Sequence, residues 1–439
     1  MSKGYELGTA KVFQDFSTPF NVLKTAKQTV QLSVDPNRGL TRSRYGWFSN
    51  GEMFDESHFS EEPGQIVIST GSNGSDTARI RSAFAGQYVS QAMGQPGHAV
   101  KIDSDYVNID SDGLVSLTNG NVKLGAFMHD GSQVSEGFFL EYDTSGTRFV
   151  LVRDGSRVTE VSQEDWNKDT MTGQAGSDNP SGDQLDPSEM YIYNYPFTWY
   201  NSGRIAVGQS RVKGFPEPQQ LQLWHEFIPG GEPNINTANL PVQVMFDNDG
   251  TDNTLSGSIG GLQYTIYGGN GPTEKRTTDL IQNDIDVDVQ RNDPIDPPAE
   301  PGKPIFAVKR KDGIRDLEVN IRDIEIVPED ERLYFYLWHI YDESMLTDAN
   351  FTEPVTVNHS KETKIEVDKE ATALDTSEAV NVRTFRVSGS KDEIKESIFP
   401  EDAESRLPMD AIAVLTVVES DPNGNGTEID VVMPVIEGF

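Results

Sequence analysis

The chain has 439 residues, with 70 Asp and Glu against 36 Lys and Arg, no cysteine, 39 glycines and 24 prolines, for a formal charge of -34. The lack of cysteine removes disulfides, thiolate metal sites and cysteine nucleophiles. A field this negative repels phosphate backbones and anionic lipid, which argues against nucleic-acid binding and membrane insertion.

The length fits two or three domains, and 21 Phe, 14 Tyr and 5 Trp supply core material although only 35% of residues are hydrophobic. Met1-Ser-Lys3-Gly-Tyr-Glu6 has no basic stretch leading into an apolar one, so no secretory signal is expected. The longest apolar run, residues 411–418, is too short to span a bilayer. The expectation is a soluble product made in the cytoplasm. Surplus carboxylates are tolerable where molar salt screens them within roughly 3 Å, so a halophilic source is the leading explanation of the charge. An acidic phage or bacterial surface protein is the alternative.

Residues 1–50 read as an N-terminal arm or first strands. From there apolar and polar residues alternate with period two between turns such as Asp112-Gly113, Asn119-Gly120, Ser145-Gly146 and Asp249-Gly250, whereas sustained helical spacing is hard to find. Strands are expected at residues 28–34, 65–69, 138–142, 148–153, 191–199, 204–209, 220–227, 242–246 and 262–267. The pattern predicts an all-β sandwich over residues 51–276. Within it residues 165–187, rich in Asp, Asn, Ser and Gly, form a long loop of the kind that often carries function.

Residues 277–304 are acidic and then proline-rich, with five prolines from Asn292 to Pro304, and are predicted to be a semi-rigid linker. Beyond it, alternating runs at 305–309, 317–326, 333–340, 354–357, 363–367, 379–387, 411–418 and 428–435 fit a second sandwich over 305–439, immunoglobulin-like or jelly-roll. A short helix is placed at 391–397. The charge divides unevenly: from position 280 onward 36 acidic residues face 16 basic ones, against 34 and 20 before it.

Several constellations invite a chemical reading. Glu141 and Asp143 lie two apart on a strand and so share a face, as the nucleophile and helper of a sandwich-fold glycosidase would. Thr144-Ser145-Gly146 follows where a third carboxylate is needed, so an Asp-initiated turn is the simpler reading. His225-Glu226 has proline at 229, where a metalloprotease helix needs its second histidine. The six histidines, His58, His98, His129, His225, His339 and His359, are scattered without zinc spacing.

Asp421, Asn423, Asn425 and Glu428 resemble the opening of a Ca²⁺ loop. Val432 stands where that loop needs its bidentate Glu, and a Gly/Asn hairpin is the competing reading. Asp247, Asp249 and Asp252 form a weaker cluster of the same kind. Tyr191, Tyr193, Tyr195, Phe197 and Trp199 alternate on one strand, and burial in a core is favoured over an exposed sugar-binding platform. Tyr334, Tyr336, Trp338 and Ile340 form the matching stripe in the second domain. No phosphate loop, dinucleotide fingerprint or nucleophile elbow is present.

Taken together, several segments resemble a structural protein family of tailed viruses. They are Thr77-Ala-Arg79-Ile-Arg81-Ser82, Gly137-Phe-Phe-Leu-Glu-Tyr-Asp143 with Gly146-Thr-Arg-Phe149-Val-Leu-Val-Arg153, and Asp165-Trp166-Asn167-Lys168-Asp169. They continue through Pro180-Ser-Gly182, Leu185-Asp186-Pro187, Phe197-Thr-Trp199-Tyr-Asn-Ser-Gly203-Arg204-Ile-Ala-Val-Gly208, His225-Glu226-Phe227 and Pro233-Asn-Ile-Asn-Thr-Ala-Asn239-Leu240-Pro241-Val242. Tyr200-Asn201 departs from the Leu usual after the strand Trp. The resemblance covers roughly residues 70–250 and leaves the C-terminal domain out.

It implies a concanavalin-like or jelly-roll sandwich exposed on the virion surface, without enzymatic activity, and no cofactor is expected beyond Ca²⁺ at the loop named above. The expected setting is a homo-oligomeric appendage, such as a capsid-vertex turret or spike, a tail fibre or a baseplate component. Its partners would be other virion proteins and, in host attachment, a surface-layer glycoprotein or glycan of a halophilic archaeon. A carbohydrate-binding surface lectin and a sandwich-fold glycoside hydrolase are the alternatives. If the acidity is an adaptation to brine, the melting temperature climbs between low and molar salt, and a flat thermal-melt series against salt removes that explanation.

Overall fold

The computed structural model describes residues 13–15, 28–34, 39–42, 44–86, 92–198, 203–211, 220–228, 235–250, 253–268, 275–287, 302–312, 318–321, 323–328, 332–354, 363–388, 394–397, 407–419 and 427–438. Among them regular structure is strand, broken only by the single 3₁₀ turns Ser104–Tyr106, Gln163–Asp165 and Glu343–Met345. No helix among them is long and apolar enough to cross a membrane. The chain divides into two compact units, Met1–Gly271 and Pro272–Phe439, and the all-β expectation holds in both.

The first unit pairs two antiparallel sheets. One runs Phe13–Asp15, Gln220–Phe227, Ile205–Arg211, Tyr191–Asn194, Ala92–Ile102, Ser256–Gly268, Gln65–Ser69 and Phe59–Glu62, with Gln28–Val34 also on Ser256–Gly268. The other runs Ser156–Ser162, Gly146–Arg153, Val134–Asp143, Asn121–His129, Val242–Asp247, Thr77–Ser82, Tyr45–Ser49 and Glu52–Met53. Alternate residues of each, such as Val122, Leu124, Phe138 and Leu140 from one and Val100, Tyr193, Val207 and Trp224 from the other, close into a single core. Each such side chain contributes about 1.5–3 kcal/mol by leaving water.

The strand Ala92–Ile102 lies in the middle of its sheet and is not among the expected strands; Gly94, Pro96 and Gly97 are residue types depleted in strands. Tertiary fit overrides that signal. Pro96 O still accepts from Tyr195 N at 2.9 Å, and the glycines admit close neighbours: a Cβ at Gly97 would lie 2.9 Å from both Tyr193 O and Asn194 Oδ1. Residues 191–199 form a shorter strand than expected, ending at Asn194. Phe197 continues it only by isolated bridges to Gly94 and Ile205. Tyr193, Tyr195 and Phe197 are buried and Tyr191 half-buried, as favoured. Trp199 lies outside the described residues.

The second unit also has two large antiparallel sheets: Lys275–Val287, Thr427–Gly438, Asp323–Pro328 and Ile394–Ser397, with Glu318–Ile321 on Thr427–Gly438; and Ile365–Asp368, Lys303–Arg310, Ile412–Glu419, Arg332–Ile340 and Val380–Ser388. Two expectations are corrected here. The first stretch of the presumed linker is the strand Lys275–Val287, paired along its length with Thr427–Gly438. The partner strand supplies the backbone pairing that an acidic composition does not reveal. The helix placed at 391–397 is the strand Ile394–Ser397, recruited by Asp323–Pro328. Tyr336, Trp338 and Ile340 are buried, as favoured for such stripes, though they do not line the space between the sheets. Leu333, Phe335 and Leu337 do, and the aromatic stripe packs on the opposite face under Leu346, Ala371 and Leu374.

Residues 288–301, with most of the proline run, lie outside the described residues. For the central strand of the first unit, Gly97→Ala is expected to cost about 1–3 kcal/mol through forced backbone separation, read as a lowered midpoint in chemical denaturation.

Candidate functional site

Glu141 and Asp143 do share one face, the side of the Val134–Asp143 sheet turned away from the core. Register places Glu141 opposite Lys123 on one neighbouring strand and Arg148 on the other. Glu141 is 1% exposed and accepts from Asn121 Nδ2 at 2.9 Å, Arg157 Nη2 at 2.8 Å and Arg148 Nε at 2.9 Å, with Lys123 Nζ at 3.7 Å. The same guanidinium of Arg148 reaches over to pair with Asp143, so one cation stands between the two carboxylates. Burial alone would push the Glu141 carboxyl up. The hydrogen bonds from Arg157 and Asn121 and the charge of Lys123 outweigh it and hold the group below the usual carboxylate value. Asp143 Oδ1 also accepts from Ser145 N at 2.8 Å and Ser145 Oγ at 2.7 Å, the Asp-initiated turn expected from the sequence.

The second constellation gathers the residues that carry the family resemblance. Trp166 stacks on Trp224 with ring centroids 5.5 Å apart and planes 6° from parallel. Asn167 Nδ2 donates to Glu226 O at 2.8 Å while Glu226 N donates to Asn167 Oδ1 at 2.9 Å. Lys168 N and Asp169 N both donate to Trp224 O at 3.0 Å. On the far side Glu226 forms ion pairs with Lys168 at 3.0 Å and Arg204 at 3.1 Å. The start of the 165–187 loop is therefore clamped to the end of the Gln220–Phe227 strand.

His225 takes part as an acceptor from Asn167 N at 3.3 Å. Burial, only partly offset by the Glu226 charge, lowers its pKa to about 4. It thus serves the clamp as a neutral ring packed beside Phe149.

Two glutamines hold the rest of the loop. Gln163 accepts from Val115 N at 2.9 Å and donates to Thr170 O at 2.9 Å. Gln184 donates to Gly113 O at 3.0 Å and Leu185 O at 2.9 Å. Inside, Gln222 Nε2 donates to Asp169 Oδ2 at 2.9 Å, and Gln209 Nε2 to Gln222 Oε1 at 3.0 Å. Burial raises the Asp169 carboxyl, partly countered by that bond. Met171 is buried at φ 55°, a backbone region that bulky residues adopt only when their surroundings impose it. Asp169 Oδ1 takes its N–H at 3.1 Å. The loop tip, residues 173–178, is exposed.

A third clamp escaped the sequence reading. Asn236 N donates to Glu136 Oε1 at 2.6 Å, and Asn236 Nδ2 to Asp154 Oδ1 at 2.8 Å. Nothing in the pattern around Glu136 signals a partner a hundred residues away. Burial raises the Glu136 carboxyl, and the Asp154 charge adds to the effect against the bonds from Asn236 and Asp154 N–H.

Of the Ca²⁺ candidates, Asp421, Asn423 and Asn425 lie outside the described residues, and Glu428 sits in a strand opposite Asp286. Asp247 Oδ1 caps Asp249 N at 2.9 Å in a turn, and Asp252 lies outside the described residues. Among the described residues no three His, Asp or Glu side chains converge as a metal would need.

No protein-family model matches the chain, and no curated protein does. Among solved structures, it is similar to a protein of unknown function from Shewanella oneidensis, at 10% identity over 57% of this chain and 90% of that one, with a TM-score of 0.34. It is similar also to the carbohydrate recognition domain of Emp47p, at 13% identity over 55% and 95%, TM-score 0.29. A prokaryotic beta-1,3-1,4-glucanase derived from a mouse hindgut metagenome is a third, at 12% identity over 55% and 100%, TM-score 0.31. Identities and scores this low assign the chain no activity.

If Glu141 serves to neutralise its cationic neighbours, Glu141→Gln costs about 2–3 kcal/mol, the partly solvated arginines keeping the loss at the lower end for a broken buried pair. The pH dependence follows from the depressed carboxyl: its contribution is present above the ordinary carboxylate value and is lost as pH falls through the lowered one. Denaturation curves across acid pH are expected to show that loss in the parent chain and not in the variant.

Proposed function

We propose that the chain is a structural component of a tailed-virus particle, displayed on its surface, and that it performs no catalysis. The observation that carries this reading is the convergence of Trp166, Asn167, Lys168, Arg204, His225 and Glu226 on one clamp. They come from three separate segments of the resemblance, and in space they act as scaffold, fastening a long loop to a sheet. The resemblance therefore describes how the unit is built, as suits a particle component, and contains no arrangement for turnover. The ion pairing of Glu141 and Asp143 through one guanidinium supports the non-catalytic reading.

In this role the first unit supplies a rigid body with an exposed loop, and copies arranged by the symmetry of the particle would turn weak contacts into avid ones, by a factor of about 10²–10⁴. Virion proteins are the partners on one side and a host surface-layer glycoprotein or glycan on the other. The strongly acidic composition fits a host living in brine.

Antibody labelling of purified particles, viewed by electron microscopy, is expected to decorate a discrete surface structure. Absence of the chain from particles, checked by mass spectrometry, ends the proposal. The mass of the assembled species then assigns the structure: fivefold for a capsid vertex, threefold for a fibre, sixfold or twelvefold for a ring. Strong monovalent binding to a free sugar on a glycan array in high salt would instead favour the lectin reading.

A further inference from the structure

His98 lies on the central strand Ala92–Ile102 and points into the space between the two sheets of the first unit. It is 1% exposed, and neither ring nitrogen has a hydrogen-bond partner. The imidazole is stacked against two tyrosine rings, Tyr193 at 5.5 Å and 26° and Tyr195 at 5.3 Å and 27°. Those tyrosines are the residues that tie the sheets together by hydrogen bonds: Tyr195 Oη donates to Leu124 O at 2.6 Å, and Tyr142 Oη to Tyr193 Oη at 3.3 Å. Leu124 and Tyr142 belong to the opposite sheet.

The titratable groups around the ring are therefore Tyr193 and Tyr195 beside it, Tyr142 across the seam, and Tyr264 on the neighbouring strand, the next inward position along from Leu262, which pairs with His98. No carboxylate or cation contributes, and burial is the sole cause that lowers the pKa of His98, to about 3.

We propose that His98 is an acid-sensitive latch of the first unit, and that its protonation opens the tyrosine seam holding the two sheets together. A neutral imidazole fits the seam as an aromatic plate. An imidazolium must find acceptors for two N–H groups, and the seam offers ring faces and hydroxyls already engaged across the sheets. The favourable contact of a cation with ring faces replaces only part of its lost hydration. Protonation therefore favours a state in which water enters between Tyr193, Tyr195 and Leu124. The sign follows from linkage: between the ordinary histidine value and the lowered one the unfolded chain binds the proton and the folded chain does not, so stability falls as pH falls. In this window each such histidine lowers the folded-to-unfolded ratio by about tenfold per pH unit. His225 and His339, lowered to about 4 and about 3, add slopes of the same sign, so the test must single out His98.

The test is equilibrium denaturation of the full chain between pH 6.5 and 5, where ordinary carboxylates stay ionised in both states. His98→Phe keeps the stack on Tyr193 and Tyr195, and the expected result is a shallower pH dependence by about tenfold per pH unit relative to the parent chain. An unchanged slope overturns the proposal. Should His98→Phe fail to fold, ring-nitrogen NMR of the parent chain decides. A histidine with contacts to two tyrosine rings that stays neutral at pH 5 in the folded state, with the native signals giving way together on further acidification, supports the latch. A ring that titrates near its ordinary value while the fold persists overturns it.

Discussion

Closing two large sheets over one another without a single disulfide is the constraint on which the first unit rests. With hydrophobic residues scarce, the seam is built from rings as much as from aliphatic chains. Tyr193, Tyr195, Phe197, Phe138 and Trp224 supply area, and the tyrosine hydroxyls keep their polarity satisfied by reaching the opposite sheet at Leu124 O and Tyr142. A ring with a polar tip can cross a seam that an aliphatic chain can only fill. The same solution places His98 among those rings, so the element that unites the sheets is also the one whose charge state matters.

Loops are governed by a different economy of forces. Asn167, Gln163, Gln184 and Asn248 are amides that exchange hydrogen bonds with backbone far away in sequence, Asn248 donating to Gly71 O at 2.8 Å and Asn73 O at 2.7 Å. Each such bond is worth little net, about 0.5–1.5 kcal/mol. Together they convert long connections into parts of a rigid body without lengthening the core. The edge strand Ser156–Ser162 is managed differently: opposite Leu151 and Val152 it carries Val158 as an extra, bulged residue, and Arg157 pairs with Glu160 on either side of it, which twists and charges an edge that would otherwise invite another strand.

How far the sequence reveals this depends on the range of the forces involved. Alternation is local, so strands such as Gly146–Arg153 and Gln220–Phe227 were legible to within two residues, as was the shared face of Glu141 and Asp143. Ala92–Ile102 was hidden because Gly94, Pro96 and Gly97 are turn formers whose strand role is set by Tyr193, Phe197 and Tyr264 pressing against them. Lys275–Val287 was hidden because an acidic composition resembles a linker until its partner strand is known. At the site, the loop 165–187 could be recognised by its length, but its clamp requires the register that brings Glu226 to Asn167. The placement of Arg148 between two carboxylates likewise follows from strand pairing. Pairing partners are a property of the whole sheet, and no window of sequence contains them.

The acidity can now be set against what is buried. In molar salt the Debye length is about 3 Å, so exposed pairs such as Arg157 with Glu160, each more than 40% exposed, lose most of their attraction, and the surface carboxylates lose most of their repulsion. Glu141 keeps its partners, because a side chain withdrawn from solvent is screened far less. The amide clamps and the aromatic seam are neutral and insensitive to screening altogether. A fold held by those terms, with its charge confined largely to the surface, gives up little when salt is raised and gains the relief of self-repulsion. The surplus charge and the neutral character of the internal ties are therefore complementary: salt screens the repulsion at the surface and leaves the internal bonds intact.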